Sequence, residues 1–65
     1  MPIVKIDLWK GRDKQIKKEL IEKVTTVISE VVGCPAEAVH IIINDIDKDN
    51  WGIGGDLSSE KFPDK

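Results

Sequence analysis

The residue best placed to do chemistry stands second. Met1-Pro2 leads straight into the apolar run Ile3-Val4-Lys5-Ile6-Asp7-Leu8-Trp9. An initiator methionine before a small residue such as proline is usually removed, which would leave Pro2 with a free secondary amine. An α-amino group titrates close to neutral pH. Apolar surroundings or nearby cations favour its neutral form, because both disfavour the added charge. A base poised near the working pH is what proton-transfer chemistry needs. The plainer alternative is a strand-start proline, whose missing N–H falls where no partner requires one.

Three further groups could serve such a base. Arg12 follows Gly11, and Lys14, Lys17 and Lys18 come directly after. Cations at the start of a helix oppose its dipole, so helix stability does not account for them. With the free N–H groups of a first turn they make an anion-friendly mouth. Arg12 is the candidate carboxylate binder, and the lysines read as a solvated basic turn. Trp51-Gly52-Ile53-Gly54-Gly55-Asp56 offers an aromatic wall over a pocket, or equally a hairpin that covers a neighbouring subunit. Its glycines do not lie between a strand and a helix, as a phosphate loop requires. Trp9 either lines the same pocket or packs beneath the hairpin. His40, the only histidine, is a possible hydrogen-bond donor to substrate or an ordinary strand residue. Cys34, the only cysteine, precedes Pro35, has no basic neighbour and reads as structural.

Positioning these residues takes few elements. Across residues 2–9, Val4, Ile6 and Leu8 alternate with Ile3, Lys5, Asp7 and Trp9, which is the period of a strand. Gly11 breaks that pattern and Asp13 suits a helix N-cap. Residues 14–32 then read as an amphipathic helix, with Ile16, Leu20, Val24, Val27, Ile28 and Val31 at spacings of three and four. Gly33 suits a left-handed C-cap and Pro35 forbids continuation. The helix is rich in β-branched residues, so burial against a sheet has to offset its modest propensity. Residues 39–46 read as a second strand, apolar enough in the middle to be covered on both faces. Residues 47–50 form a polar turn, 51–56 a short hairpin, and 58–65 a polar tail with little to hold it.

Strand, helix, strand is one β-α-β unit of the α/β class, with parallel strands and a right-handed crossover. The whole chain, 1–65, makes one domain. A chain of this length buries only about 60% of the surface its unfolded form exposes. One cysteine and one histidine rule out an intrachain disulfide and a Cys/His metal cluster, two common supports for small domains. Two strands and one helix also leave a sheet face and two edges bare. Partner subunits must therefore extend the sheet and cover that face. A net charge of −2 provides no basic field for nucleic acid. No run approaches the roughly 20 apolar residues of a membrane span, and no leader pattern is evident, so the cytoplasm is the expected location.

These pieces, in this order, resemble the 4-oxalocrotonate tautomerase family of the tautomerase superfamily. The resemblance is carried by Pro2 after the initiator methionine, the strand Ile3–Leu8, Gly11-Arg12 and the helix segment Leu20-Ile21-Glu22-Lys23-Val24. It continues through Cys34-Pro35, the strand Val39–Ile43 and Trp51-Gly52-Ile53-Gly54-Gly55-Asp56. What it implies is a β-α-β protomer in a homohexamer built as a trimer of dimers. The family's amino-terminal proline is the catalytic base, a role that falls on Pro2. Its helix-entrance arginine comes from a neighbouring subunit and binds a substrate carboxylate, a role that falls on Arg12. Its hairpin aromatic, usually phenylalanine, keeps the proline amine neutral, and Trp51 matches that position. One position departs. Where the family's archetype has a second arginine at the start of strand two, this chain has His40.

The resemblance therefore implies a keto–enol tautomerase acting on a 2-hydroxydienoate or related enol carboxylate. Pro2 is the expected base, Arg12, His40, Trp51 and Trp9 line the substrate, and no cofactor or metal is expected. Two alternatives stand beside it. One is a hydratase-type dehalogenase or decarboxylase on the same scaffold, with Asp7 or Asp45 activating water. The other is a small oligomeric binding protein without catalysis.

Overall fold

The computed structural model describes residues 1–63. Strands β1 (Ile3–Trp9) and β2 (His40–Ile46) lie side by side and parallel, pairing Ile3 with His40 at one end and Trp9 with Ile46 at the other. Side chains alternate across a strand. Val4, Ile6 and Leu8 of β1 therefore share a face with Ile41, Ile43 and Asp45 of β2. Helix α1 (Lys14–Ile28) covers this face and turns Leu20, Val24 and Ile28 inward, half-buried. The opposite face carries Ile3, His40 and Ile42, all exposed.

Asp13 caps α1 as its type and place suggest, accepting a hydrogen bond from the Ile16 N–H at 2.9 Å. The helix does not run unbroken to residue 32. Its α-helical bonding ends at Ile28, and Ser29–Gly33 form one wider turn. Gly33 is left-handed at φ +82°, which swings the Cys34 N–H back onto the Ser29 carbonyl at 3.2 Å. The Ser29 hydroxyl donates to the Cys34 carbonyl at 2.5 Å and closes the turn.

After β2, a short helical turn (Lys48–Asn50) leads into a hairpin of β3 (Gly52–Ile53) and β4 (Asp56–Leu57). Gly54 and Gly55 both take positive φ at its tip, which the tight hairpin connection requires. The chain beyond it departs from the loosely held polar tail expected from composition. Ser58–Lys61 form a one-turn helix, α2, and Ser58 is the only fully buried residue among those described. Its N–H donates to the Trp51 carbonyl at 2.8 Å. Phe62 packs on Trp9, and Lys48 Nζ donates to the Phe62 carbonyl at 2.6 Å. The Phe62 ring and these two hydrogen bonds together dock the segment. The last two positions of that expected tail, 64 and 65, lie outside the described residues.

The molecule is a slab measuring 42 × 25 × 13 Å. Its radius of gyration, 14.8 Å, exceeds the roughly 11 Å of a compact chain this long. Among the described residues no apolar side chain is fully buried, and Val31 is 81% exposed with Val32, Ile3 and Val27 each more than half exposed. No helix among these residues is long and apolar enough to cross a membrane.

Candidate active site

Pro2 sits just ahead of β1 and is half-buried. Its carbonyl accepts the His40 N–H at 2.9 Å, so the sheet ladder itself holds Pro2 beside the start of β2. The His40 side chain is exposed on the open face, next to Ile3, its partner in register. Met1 projects from this end and is 80% exposed.

The other end of the sheet gathers aromatic rings. Trp9 and Trp51 meet edge to face, with centroids 5.8 Å apart and planes at 76°. This geometry suits the ring quadrupoles. Phe62 lies on Trp9 at 5.5 Å, and Lys48 Nζ stands 4.7 Å from the centre of the Trp9 ring, within cation–π range. Trp9 thus packs against the hairpin aromatic, one of its two expected placements. The Trp9 carbonyl accepts from Arg12 Nη1 at 3.0 Å, which ties the guanidinium to the aromatic end while Arg12 stays exposed.

The structure therefore brings Pro2 to His40, and Arg12 to Trp9 and Trp51, but keeps the two groups apart. From Pro2 to Trp9 is seven strand steps, about 23 Å at 3.3 Å per residue. A small substrate cannot span that distance within one protomer.

The basic turn is less uniform than its sequence suggests. Lys14 and Lys18 are exposed, but Lys17 reaches across to form an ion pair with Asp45 of β2. With side chains 28% and 33% exposed, the pair contributes at most about 1 kcal/mol. Asp7 accepts a hydrogen bond from Asn44 Nδ2 at 2.9 Å. A groove along α1 is lined by Lys14, Lys17, Lys18, Ile21 and Glu22, and of the candidate residues none lines it. Among the described residues no three His, Cys, Asp or Glu side chains gather as a metal site would.

Sequence reasoning missed the other members of the aromatic end: Phe62, Lys48 and Ser58. The only available signal was Phe62 itself, a large apolar residue in an otherwise polar stretch. Nothing in its local pattern points to Trp9.

Comparison with known proteins bears on this arrangement. The family model described as "Tautomerase enzyme" matches residues 2–61. The chain is 43% identical over 60 residues to the 2-hydroxymuconate tautomerase of Comamonas testosteroni, covering 92% of this chain and 95% of that protein. It is 41% identical over 61 residues to a probable tautomerase of Lactiplantibacillus plantarum, covering 94% and 95%. Among solved structures it resembles the 4-oxalocrotonate tautomerase isozymes from Methylibium petroleiphilum. There the TM-score is 0.85 and the identity 45%, over 89% of this chain and 94% of that one.

Proposed function

Because the chain belongs to the tautomerase enzyme family, we propose that it catalyses the keto–enol tautomerisation of an enol carboxylate, with Pro2 as the general base. The neutral Pro2 nitrogen takes a proton from a dienol hydroxyl or from carbon. It returns that proton to another carbon of the conjugated system. A secondary amine at the chain end suits both steps, because its two protonation states lie close in free energy near neutral pH.

The observation that carries the proposal is the seating of Pro2. Its carbonyl is bonded to the ladder through the His40 N–H, while Met1 lies outside the sheet and exposed. Removing Met1 therefore frees the nitrogen without taking a hydrogen bond from the sheet. With Met1 attached, that nitrogen is an amide and no base.

The remaining roles follow from the distance between the two ends. Arg12 and the Trp9–Trp51 pair are too far from the Pro2 of their own protomer, so they serve the Pro2 of a neighbour. Arg12 binds a substrate carboxylate by a charge-assisted bond, and Trp51 with Trp9 keeps water from the amine. His40, beside Pro2, donates to the substrate's other polar end. The bare sheet face and exposed valines support a homo-oligomer, the hexamer of three dimers that the family resemblance implies. The hydratase alternative would have to free its water-activating carboxylate, because Asp7 accepts from Asn44 Nδ2 and Asp45 pairs with Lys17.

Intact mass should show the protein without Met1. A spectrophotometric assay should then show turnover of 2-hydroxymuconate or phenylenolpyruvate. A processed protein inactive on both would remove this reading.

A further inference from the structure

Phe62 touches neither end of the substrate as placed above, yet it is built into the aromatic end. It lies on Trp9, which in turn meets Trp51 and accepts the Arg12 hydrogen bond. We propose that Phe62, carried on α2, is a positioning residue that holds Trp9, and through it Trp51 and Arg12, in their substrate-binding arrangement. The inference rests on the tautomerase reading of Trp51 and Arg12.

Two features of the structure support it. The first is the state of the Trp9 indole. Its Nε1 is buried and has no hydrogen-bond partner among the described residues. A buried donor without a partner opposes the arrangement that contains it. Ring contacts must therefore hold Trp9 where it is, and those contacts are Trp51, Phe62 and the Lys48 ammonium. Removing one of them lets the indole turn its N–H toward water. The second feature is how α2 is held. A single helical turn has no cooperative stability of its own. It is pinned at both ends instead, by the Ser58 N–H on the Trp51 carbonyl and by Lys48 Nζ on the Phe62 carbonyl. The pins start from the hairpin and from the turn before it, so the hairpin and Phe62 grip Trp9 from two sides.

An aromatic contact of this kind biases its geometry by about 2- to 12-fold. Arg12 binds the substrate carboxylate before and during reaction alike, so its displacement should weaken binding more than it slows chemistry. The test uses the full chain freed of Met1, as wild type, Phe62→Ala, Phe62→Leu and Phe62→Tyr, with tryptophan emission and steady-state kinetics on 2-hydroxymuconate. In Phe62→Ala the emission should shift to the red and KM should rise about 2- to 12-fold, with kcat changed by less than about 2-fold. Phe62→Tyr should restore both. If Phe62→Ala loses its far-UV circular dichroism, Phe62→Leu decides on the same two readouts. An unchanged KM with shifted emission would make the contact merely structural, and a lower KM would make Phe62 an obstruction, so either overturns the proposal. Absence of wild-type turnover would overturn both this proposal and the tautomerase reading, whereas an unchanged KM in an active variant overturns this one alone.

Discussion

A proline nitrogen is basic only when no residue precedes it and only while it is unprotonated. Pro2→Ala keeps a terminal amine but makes it primary, on a freer backbone. A general base contributes about 10²- to 10⁴-fold, so kcat/KM should fall within that range while circular dichroism stays unchanged. Wild-type activity in Pro2→Ala would return Pro2 to a strand-start role. For the unaltered protein, kcat/KM should rise with pH as the Pro2 ammonium loses its proton, because the proposed base is the neutral amine. His40 sets a different limit. Imidazole lacks the guanidinium fork and cannot clamp a carboxylate through two parallel bonds. That difference amounts to about 1–3 kcal/mol, or roughly 5- to 150-fold in kcat/KM. The chain should therefore favour a monocarboxylate enol over 2-hydroxymuconate. His40→Arg should raise the dicarboxylate activity more than the monocarboxylate one, and Arg12→Ala should damage both. Equal scaling of the two by His40→Arg would mean that position 40 does not face substrate.

The elements carry the site by their ends. α1 starts two residues after Arg12, with only its cap Asp13 between them, so the cap that fixes its first turn also fixes where the guanidinium leaves the chain. Asp13 provides that cap through the Ile16 N–H. Asp13→Ala should cost about 0.5–2 kcal/mol, read from urea unfolding at fixed protein concentration. It should also weaken substrate binding through Arg12. A variant as stable as the wild type would mean that Lys17 and Asp45 hold the helix start without the cap. The sheet acts in the same way. Its parallel register places His40 beside Pro2 at one end and brings Ile46 level with Trp9 at the other.

At the scale of the molecule, the described residues form a slab in which no apolar side chain is fully buried. On the proposed reading its exposed apolar side chains pack against further copies, and a neighbour completes its site. Light scattering at micromolar concentration should report a hexamer, and a folded monomer would remove the assembly and the shared site together. A mixing experiment tests the sharing directly. Pro2→Ala subunits still offer Arg12, and Arg12→Ala subunits still offer Pro2. Refolded together, they should regain activity that neither has alone, because some interfaces then pair an intact Pro2 with an intact Arg12. No recovery would mean that both residues must come from one chain, against the roughly 23 Å between Pro2 and Trp9.

Pro2, Gly11-Arg12, His40 and the Trp51 hairpin were legible in the sequence because each is marked by its own type and by its place in a simple period. The two strands, the helix and its cap follow from the same local rules. Other features depend on distances through space that no period encodes. The last turn of α1 widened because Gly33 turned left-handed and sent the Cys34 N–H back to Ser29. Lys17 left the solvated turn because β2 brought Asp45 within reach. Phe62 and Ser58 left the tail because β1 ends where the hairpin returns, and the Trp9 ring waits there for a partner. Local pattern singled out the residues proposed here for chemistry. Tertiary packing alone decided that they lie at opposite ends of one thin sheet, because strand length and register, not residue type, set how far apart they stand.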